Sequence, residues 1–333
     1  MPSRLTAVAL GLALSAAPAG AALIAGYNSD RHNRDGADFL LDGYDLTGVG
    51  VGSRGGILIS DRHVLAATHF RGTTYSFQAA DGTIVSRNVS TNRTLQTLLP
   101  ADDPDAPGSL ADSDLTLVTL ASPIDALTGV TPLSIASVGD PASASAELDG
   151  AEVFIYDQNN RVGRNLIDGG SLIVDPNDDP DQGPFRVTAG PVELSRERLT
   201  DNPGPSNPGR GTYAIVYDYD LDTNGGVDGL GIDEIGLVGG DSGHAGLLVI
   251  NGQVVAVGPH HAILDGDAML PVDTDQPYLS LTTLAGLEMY RSQISSFVAA
   301  DGGLGLSYVA VPEPASLLAL AGVGGLTLLR RRR

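Results

Sequence analysis

The stretch Gly55–Phe70, GGILISDRHVLAATHF, contains two apolar runs separated by a polar turn and followed by a histidine. The runs ILIS and HVLAAT have the β-branched and aliphatic composition of strands, and Ser60-Asp61-Arg62 supplies the turn between them. The pattern predicts two consecutive strands, the second of which ends just before His69. A domain assembled from such units is an all-β domain.

Further short apolar runs recur along the middle of the chain, separated by clusters of Gly, Pro, Asp and Asn. Their spacing predicts a mostly antiparallel β-sandwich or barrel. Helical spacing of apolar residues appears only late, over Leu284–Val298, where one helix is expected. The runs are LTLVTL, EVFIY, SLIV, TYAIVYD, GLLVI and QVVAVG.

The composition limits the class of protein. The 333 residues are 42% hydrophobic, contain no cysteine and carry a formal net charge of −21, with arginine as the only strongly basic residue type. A core of this size can form without disulfides. Because so acidic a surface repels nucleic acids and anionic membranes, we expect no nucleic-acid partner.

The first 22 residues have the order of a secretory signal peptide. Arg4 precedes the apolar run LTAVALGLALSAA, and the small residues PAGAA follow it. Signal peptidases cleave after small residues of this kind. The sequence therefore predicts an exported protein cleaved after Ala22, with cleavage after Ala21 as the alternative.

The C-terminus has three distinctive parts in order: Pro312-Glu313-Pro314, the apolar run Ala315–Leu329 and a cluster of terminal arginines. The run is shorter than the roughly 20 residues that span a membrane comfortably. Residues 309–333 resemble the PEP-CTERM sorting signal of Gram-negative bacteria. The resemblance implies processing by an exosortase, transient membrane anchoring through this segment, and location at the cell surface or in the extracellular matrix. A plain membrane anchor is the alternative.

Three polar residues lie beside predicted strands in the order His, Asp, Ser. His69 follows HVLAAT, Asp114 precedes the strand LTLVTL, and Ser242 lies in GGDSGHAG, before GLLVI. This is one of the chain orders in which Ser-His-Asp triads occur. Asp112 is the alternative acid, but only Asp114 directly precedes its strand.

The segments GGILISDRHVLAATHF, DLTLVTL and GDSG resemble the conserved blocks of the trypsin/chymotrypsin family of serine proteases. The resemblance implies two antiparallel six-stranded β-barrels of the chymotrypsin type with a C-terminal helix, over residues 23–308. It also implies a secreted endopeptidase acting on protein or peptide substrates without a required cofactor. Ser242 would be the nucleophile, His69 the general base and Asp114 its orienting acid, with the N–H groups of Gly240 and Ser242 as the oxyanion hole.

The same resemblance implies further roles. Asp241 would pair with a newly freed N-terminus at Leu23, where LIAGY begins. Gly236, six residues before Ser242, would lie at the floor of a neutral pocket for apolar or small side chains. The substrate backbone would bind along Ala256, Val257 and Gly258.

Three positions depart from the family pattern. His244 and Ala245 stand where glycine and proline usually follow the nucleophile, and Phe70 stands where a cysteine often follows the histidine. His244 either crowds the nucleophile loop or is a tolerated variant. The alternative function is therefore a catalytically impaired, protease-like binding or matrix protein.

The acidic stretch after residue 218 is similar in its first half to a calcium-binding loop, through Asp220, Asp222, Asn224 and Asp228. Its twelfth position, Gly231, is not the bidentate glutamate of an EF-hand. The acidic stretch is either a structural calcium site of another shape or a solvated acidic loop.

The remaining histidines are not expected to bind a metal. His260, His261 and His244 lack a Cys or His-Glu-x-x-His context. His32 and His63 are expected at the surface.

We expect the exported protein to begin at Leu23, because the small-residue pattern ends at Ala22. N-terminal sequencing of the secreted chain checks this. A start well away from Leu23 would contradict activation by signal peptidase alone.

Overall fold

The computed structural model describes residues 22–98, 101, 108–168, 170–173, 211–219, 230–265 and 278–312. The calcium candidates Asp220, Asp222, Asn224 and Asp228 lie outside these ranges. The elements of the first part of the chain are β1 (Leu23–Ile24), α1 (Ser29–His32), β2 (Gly50–Val51), β3 (Ile57–Ser60), β4 (His63–Ala67), β5 (Thr74–Gln78), β6 (Ile84–Leu98) and β7 (Leu110–Leu120).

Six of these strands form the first barrel, in the antiparallel order β2-β5-β6-β7-β4-β3. A bridge between Val49 and Ile57 joins the two end strands and closes it. Strands β3 and β4 are buried along their whole length. One face, with Leu58 and Val64, packs into a core within this barrel, while the other, with Leu65, joins the core shared with the rest of the chain. Burial on both faces explains why these strands read as continuous apolar runs.

The elements of the second part are β8 (Ser134–Ser137), α2 (Pro141–Leu148), β9 (Glu152–Tyr156), β10 (Val162–Leu166), β11 (Gly170–Ile173), β12 (Thr212–Asp218), β13 (Ile235–Gly236), β14 (Ala245–Ile250), β15 (Gln253–Asp265), β16 (Tyr278–Thr283), α3 (Glu288–Ala300) and β17 (Tyr308–Ala310). Strands β10-β9-β14-β15-β16-β12 form a second antiparallel ring. The Asp168 N–H, just after β10, donates to the Val216 carbonyl of β12 at 2.8 Å and closes it. Strand β11 extends the sheet beyond β12, and β8 and β17 add parallel pairings.

The predicted fold class is confirmed: the structure is all-β, with two barrel-like antiparallel sheets and a C-terminal helix. Helix α3 begins at Glu288, four positions after the predicted start, because the backbone at Leu284 and Ala285 still hydrogen-bonds to strands. Helix α2, PASASAEL, was not predicted, since its small residues show no apolar periodicity. Within the described residues, no helix has the length and apolar character to cross a membrane.

The prediction that His32 and His63 lie at the surface is wrong, because both are fully buried. Each ring has a carboxylate partner: His32 Nε2 lies 3.2 Å from Asp233 and His63 Nε2 lies 3.3 Å from Asp301. The His63 Nδ1 accepts a hydrogen bond from the Ser60 hydroxyl at 2.7 Å. These partners are distant in sequence, so the local pattern does not show them.

The N-terminal segment is anchored to the second barrel. Leu23 of β1 pairs with Gly236 of β13. Ala22 is buried, and its carbonyl accepts a 2.6 Å hydrogen bond from Arg161 Nη2. Asp233 adds a second attachment, since it binds Arg31 of α1.

Asp301 attaches the C-terminal helix to the first barrel. Its carboxylate accepts two hydrogen bonds from Arg93, at 2.7 and 2.8 Å, and one from the Thr119 hydroxyl at 3.0 Å. The Arg93 guanidinium holds the pKa of Asp301 well below its usual range, with His63 and Thr119 adding to the effect. The ionised carboxylate therefore stabilises the native state.

We predict that Asp301→Asn lowers the free energy of unfolding by about 2 kcal/mol at pH 7, because hydrogen bonds to a charged group are lost. A carboxyl with a depressed native pKa stabilises above its unfolded pKa of about 3.9 and loses that contribution as pH falls toward the native value. Denaturant unfolding should therefore show a smaller difference between mutant and wild type at pH 3. Asp38→Asn, at an exposed acid, is the matched control, and an equal loss in both variants would contradict the role of Asp301.

Candidate active site

The first barrel supplies His69 and Asp114. Strands β4 and β7 pair side by side, with Ala67 opposite Leu115, so the residues just beyond that pair come together. The Asp114 carboxylate accepts a hydrogen bond from His69 Nδ1–H at 2.6 Å and from the His69 backbone N–H at 2.9 Å. Two bonds to one carboxylate fix both the position and the tautomer of the imidazole, leaving Nε2 as the free acceptor.

Asp114 is itself held from the second barrel. Its backbone N–H donates to the Thr212 hydroxyl at the start of β12, at 2.7 Å. Sequence reasoning missed Thr212, which carries no local motif. Asp112, the alternative acid, is exposed, and its one hydrogen bond within the described ranges comes from Gln96, at 3.5 Å.

The charge of Asp114 and its hydrogen bond raise the affinity of His69 for a proton. Burial lowers the pKa of His69, but the hydrogen bond and negative charge of Asp114 outweigh it, so the pKa is raised above its ordinary value. A raised pKa makes the imidazole a better proton acceptor while it stays largely neutral above that value.

The second barrel supplies Ser242, on the nucleophile loop, Gly239–His244. The Ser242 hydroxyl lies 3.0 Å from His69 Nε2, within hydrogen-bond reach. Asp114, His69 and Ser242 therefore form one continuous chain of hydrogen bonds. Such a chain can move a proton from the serine to the histidine as the serine attacks an electrophile.

Gly240 occupies a backbone conformation that requires glycine. Its φ is 107°, and a Cβ there would lie 2.8 Å from the Gln158 amide. Neither its N–H nor that of Ser242 donates a hydrogen bond within the described part of the chain. Both donors are therefore free to bind another acceptor.

The His244 ring is buried between two backbone carbonyls. It is 1% exposed, with Nε2 2.9 Å from the Gly52 carbonyl and Nδ1 3.0 Å from the Asp241 carbonyl. Burial lowers its pKa, so one ring nitrogen donates and the imidazole stays neutral at pH 7. Gly55 gives it room, since a Cβ at residue 55 would lie 2.7 Å from the His244 Cα.

Asp241 is fully buried and accepts backbone hydrogen bonds from Val238 at 2.9 Å and Gln158 at 3.1 Å. Burial raises its pKa to about 6. Among the described residues, no cation forms an ion pair with it. Leu23 lies in β1 against Gly236 in this uncleaved chain, so its pairing with Asp241 stays a prediction about the processed protein.

The predicted substrate-binding residues lie in the second barrel. Gly236 packs against the Tyr219 ring, and a Cβ added at residue 236 would lie 2.9 Å from that ring. Ala256 pairs with both Leu247 and Ile135, and Val257 is buried. Gly258 pairs with Gly246.

The nucleophile loop contacts strand β15 at His260, two residues after the predicted substrate-binding segment Ala256–Gly258. The Gly243 N–H donates to the His260 carbonyl and the His260 N–H donates to the His244 carbonyl, both at 2.8 Å. A role for Ala256–Gly258 in binding substrate stays a prediction.

His261 was not predicted to belong to the site. Burial lowers its pKa to about 4, and its ring is close enough to feel the charges of Asp114 and His69. Its Nδ1 lies 3.2 Å from the Thr283 hydroxyl. His261 is therefore a neutral group beside the dyad. The described residues contain no cluster of three metal-ligating side chains.

Comparisons with known proteins add two findings. A family model described as the PEP-CTERM protein-sorting motif matches residues 310–333, so the C-terminus carries this protein-sorting motif. No curated protein matches the chain. A solved structure of neuropsin, a serine protease expressed in the limbic system of mouse brain, is 17% identical; the match covers 76% of this chain and 94% of that chain, with a TM-score of 0.33.

We predict that His244→Ala lowers both the stability and the reactivity of the Ser242 hydroxyl, because it removes the bond to Gly52 and leaves a cavity behind the nucleophile loop. Loss of one buried hydrogen bond and its packing should cost about 2 kcal/mol in unfolding free energy. Chemical unfolding and the rate of serine labelling measure the two effects. Faster labelling would instead mean that His244 crowds the loop.

Proposed function

We propose that this chain is an exported serine endopeptidase that hydrolyses peptide bonds through an acyl-enzyme. The observation that supports this most directly is the hydrogen-bond chain Asp114–His69–Ser242, with links of 2.6 and 3.0 Å. Each residue lies on a different segment, and both barrels contribute. A turn serine with no role would not require this convergence.

In the proposed reaction, Ser242 Oγ attacks the substrate carbonyl carbon while its proton passes to His69 Nε2. Asp114 stabilises the resulting imidazolium, in keeping with the raised pKa of His69. When the carbon–nitrogen bond breaks, His69 returns the proton to the leaving amine. Water then attacks the ester by the same route and regenerates Ser242.

The free N–H groups of Gly240 and Ser242 are proposed to bind the oxyanion of each tetrahedral intermediate. Asp241 supports this loop through its bonds to Val238 and Gln158. Because the buried carboxylate lacks a cationic partner among the described residues, a free amine at Leu23 would stabilise its charged form.

The rest of the proposal concerns targeting and substrate. Residues 1–22 would be the signal peptide, 23–308 the catalytic domain and 309–333 the sorting segment, cleaved by an exosortase-type enzyme. Substrates would be proteins or peptides, bound with help from Gly236 and Ala256–Gly258. No cofactor is required. Calcium at Asp220, Asp222, Asn224 and Asp228 remains a proposal, and a lower melting temperature in chelator would support it.

We predict that a fluorophosphonate probe labels the purified, processed protein, because a serine polarised by histidine reacts with such probes. Ser242→Ala and His69→Ala should both abolish labelling, whereas Asp112→Asn, at the alternative acid, should label normally. Gel fluorescence and mass spectrometry of the labelled peptide measure the result.

The pH profile separates the triad from an accidentally reactive serine. Labelling needs neutral His69, so its rate should rise with pH through a midpoint above about 6.5. Absence of labelling in folded, processed protein would favour the alternative, a protease-like binding or matrix protein.

A further inference from the structure

Two arginines beside the candidate active site differ from the others. Arg54 and Arg71 are the exposed arginines of the described residues. Every other arginine in those ranges donates at least one hydrogen bond, mostly to an acid or a carbonyl. Arg54 and Arg71 make neither a hydrogen bond nor an ion pair there. In a chain with a net charge of −21, two neighbouring arginines without an acidic partner in the described ranges are available to bind an anionic group.

Both lie next to the catalytic histidine. The Arg54 guanidinium carbon is 4.0 Å from the centroid of the Phe70 ring, and the Phe70 and His69 rings are 6.2 Å apart. Arg71 directly follows Phe70. The two positive charges also act on the same Tyr75 hydroxyl, so they form one cationic patch, defined by Arg54 and Arg71.

The cationic patch has a fixed position relative to the serine. Arg54 lies in the loop Gly52–Gly56, and the Gly56 N–H donates to the Gly243 carbonyl at 2.7 Å, one residue after Ser242. The His244 ring reaches the other end of the same loop at Gly52. These contacts hold the backbone of the Gly52–Gly56 loop, and with it Arg54, at a fixed position relative to the nucleophile loop.

The chemistry of the proposed reaction says which half of the substrate passes this patch. His69 must protonate the leaving amine, so the chain on the leaving-group side of the scissile bond runs beside His69. An extended peptide advances about 3.3 Å per residue. Side chains one to three positions after the scissile bond are therefore within reach of Arg54 and Arg71.

We infer that Arg54 and Arg71 form a specificity site for aspartate or glutamate on the C-terminal side of the scissile bond. The inference rests on the proposed endopeptidase function. A carboxylate there forms an ion pair that no group of the protein competes for within the described residues. Away from the patch, the negative surface repels acidic substrates, so the selection is local.

The test is digestion of a synthetic peptide library randomised on both sides of the cleaved bond, with products identified by mass spectrometry. We expect enrichment of Asp and Glu at one of the first three positions after the cleaved bond. Matched quenched peptides with Glu or Gln at that position should then differ about 1.5- to fivefold in kcat/KM, as expected for exposed ion pairs. The ratio should shrink at high salt.

The Glu/Gln ratio of kcat/KM should fall to about one in the double variant Arg54→Gln/Arg71→Gln. In Arg54→Glu/Arg71→Glu the preference should reverse, so that a peptide with Lys at that position is cleaved faster than one with Glu. Arg291→Gln, on α3, removes one positive charge away from the cationic patch and should keep the wild-type ratio. Because each ratio is internal to one variant, altered overall activity does not affect it. Fluorophosphonate labelling of the same samples separates the two failures. Labelled protein without an acidic preference overturns this inference alone, whereas unlabelled wild type overturns the proposed function as well.

Discussion

The candidate site depends on a close backbone contact between the two barrels, where the Gly52–Gly56 loop packs against the nucleophile loop. The contact is close because both sides lack side chains where they meet. A Cβ on Gly243 would lie 2.7 Å from the Arg54 carbonyl oxygen. Serine and histidine come from different barrels, so a shift of about 1 Å at this contact would separate Ser242 Oγ from His69 Nε2. The bond of Thr212 to the Asp114 backbone fixes the barrels at a second point.

Without cysteine, the chain attaches its terminal segments through carboxylates with several partners. Asp233 binds Arg31, Arg164 and His32, and Asp301 binds Arg93 and His63. A single buried ion pair often gains little, because desolvation offsets attraction. A carboxylate whose oxygens all have donors avoids that loss. Such clusters link distant segments in a chain that has no cysteine to form disulfides.

The sequence predicted what depends on local pattern. Strands such as Ile57–Ser60 and Leu110–Leu120 follow from apolar runs, and the His-Asp-Ser order follows from residues at strand ends. What it missed depends on contacts between distant segments. His63 and His69 occur in the same stretch, yet one is buried against Asp301 and the other lies beside Ser242. Only the pairing of β4 with β7 and the position of α3 distinguish them.

Dependence on contacts between distant segments also explains why the sequence did not predict the places of Thr212, His261 and Arg54. None stands in a motif, and each acquires its place from a neighbour that is remote along the chain. The role of His244 also needed the fold, since only the positions of Gly52 and Gly55 show where the ring points.

The buried Ala22 has a consequence for the order of events during export. Its carbonyl is held by Arg161, whose guanidinium in turn is paired with the fully buried Asp157. A peptidase must draw an extended segment into its own cleft, and a carbonyl held in this way cannot enter one. A leader that ended at Ala22 would therefore have to be removed before this segment folds against Arg161. If removal were slow, chains that had already folded would keep the leader attached.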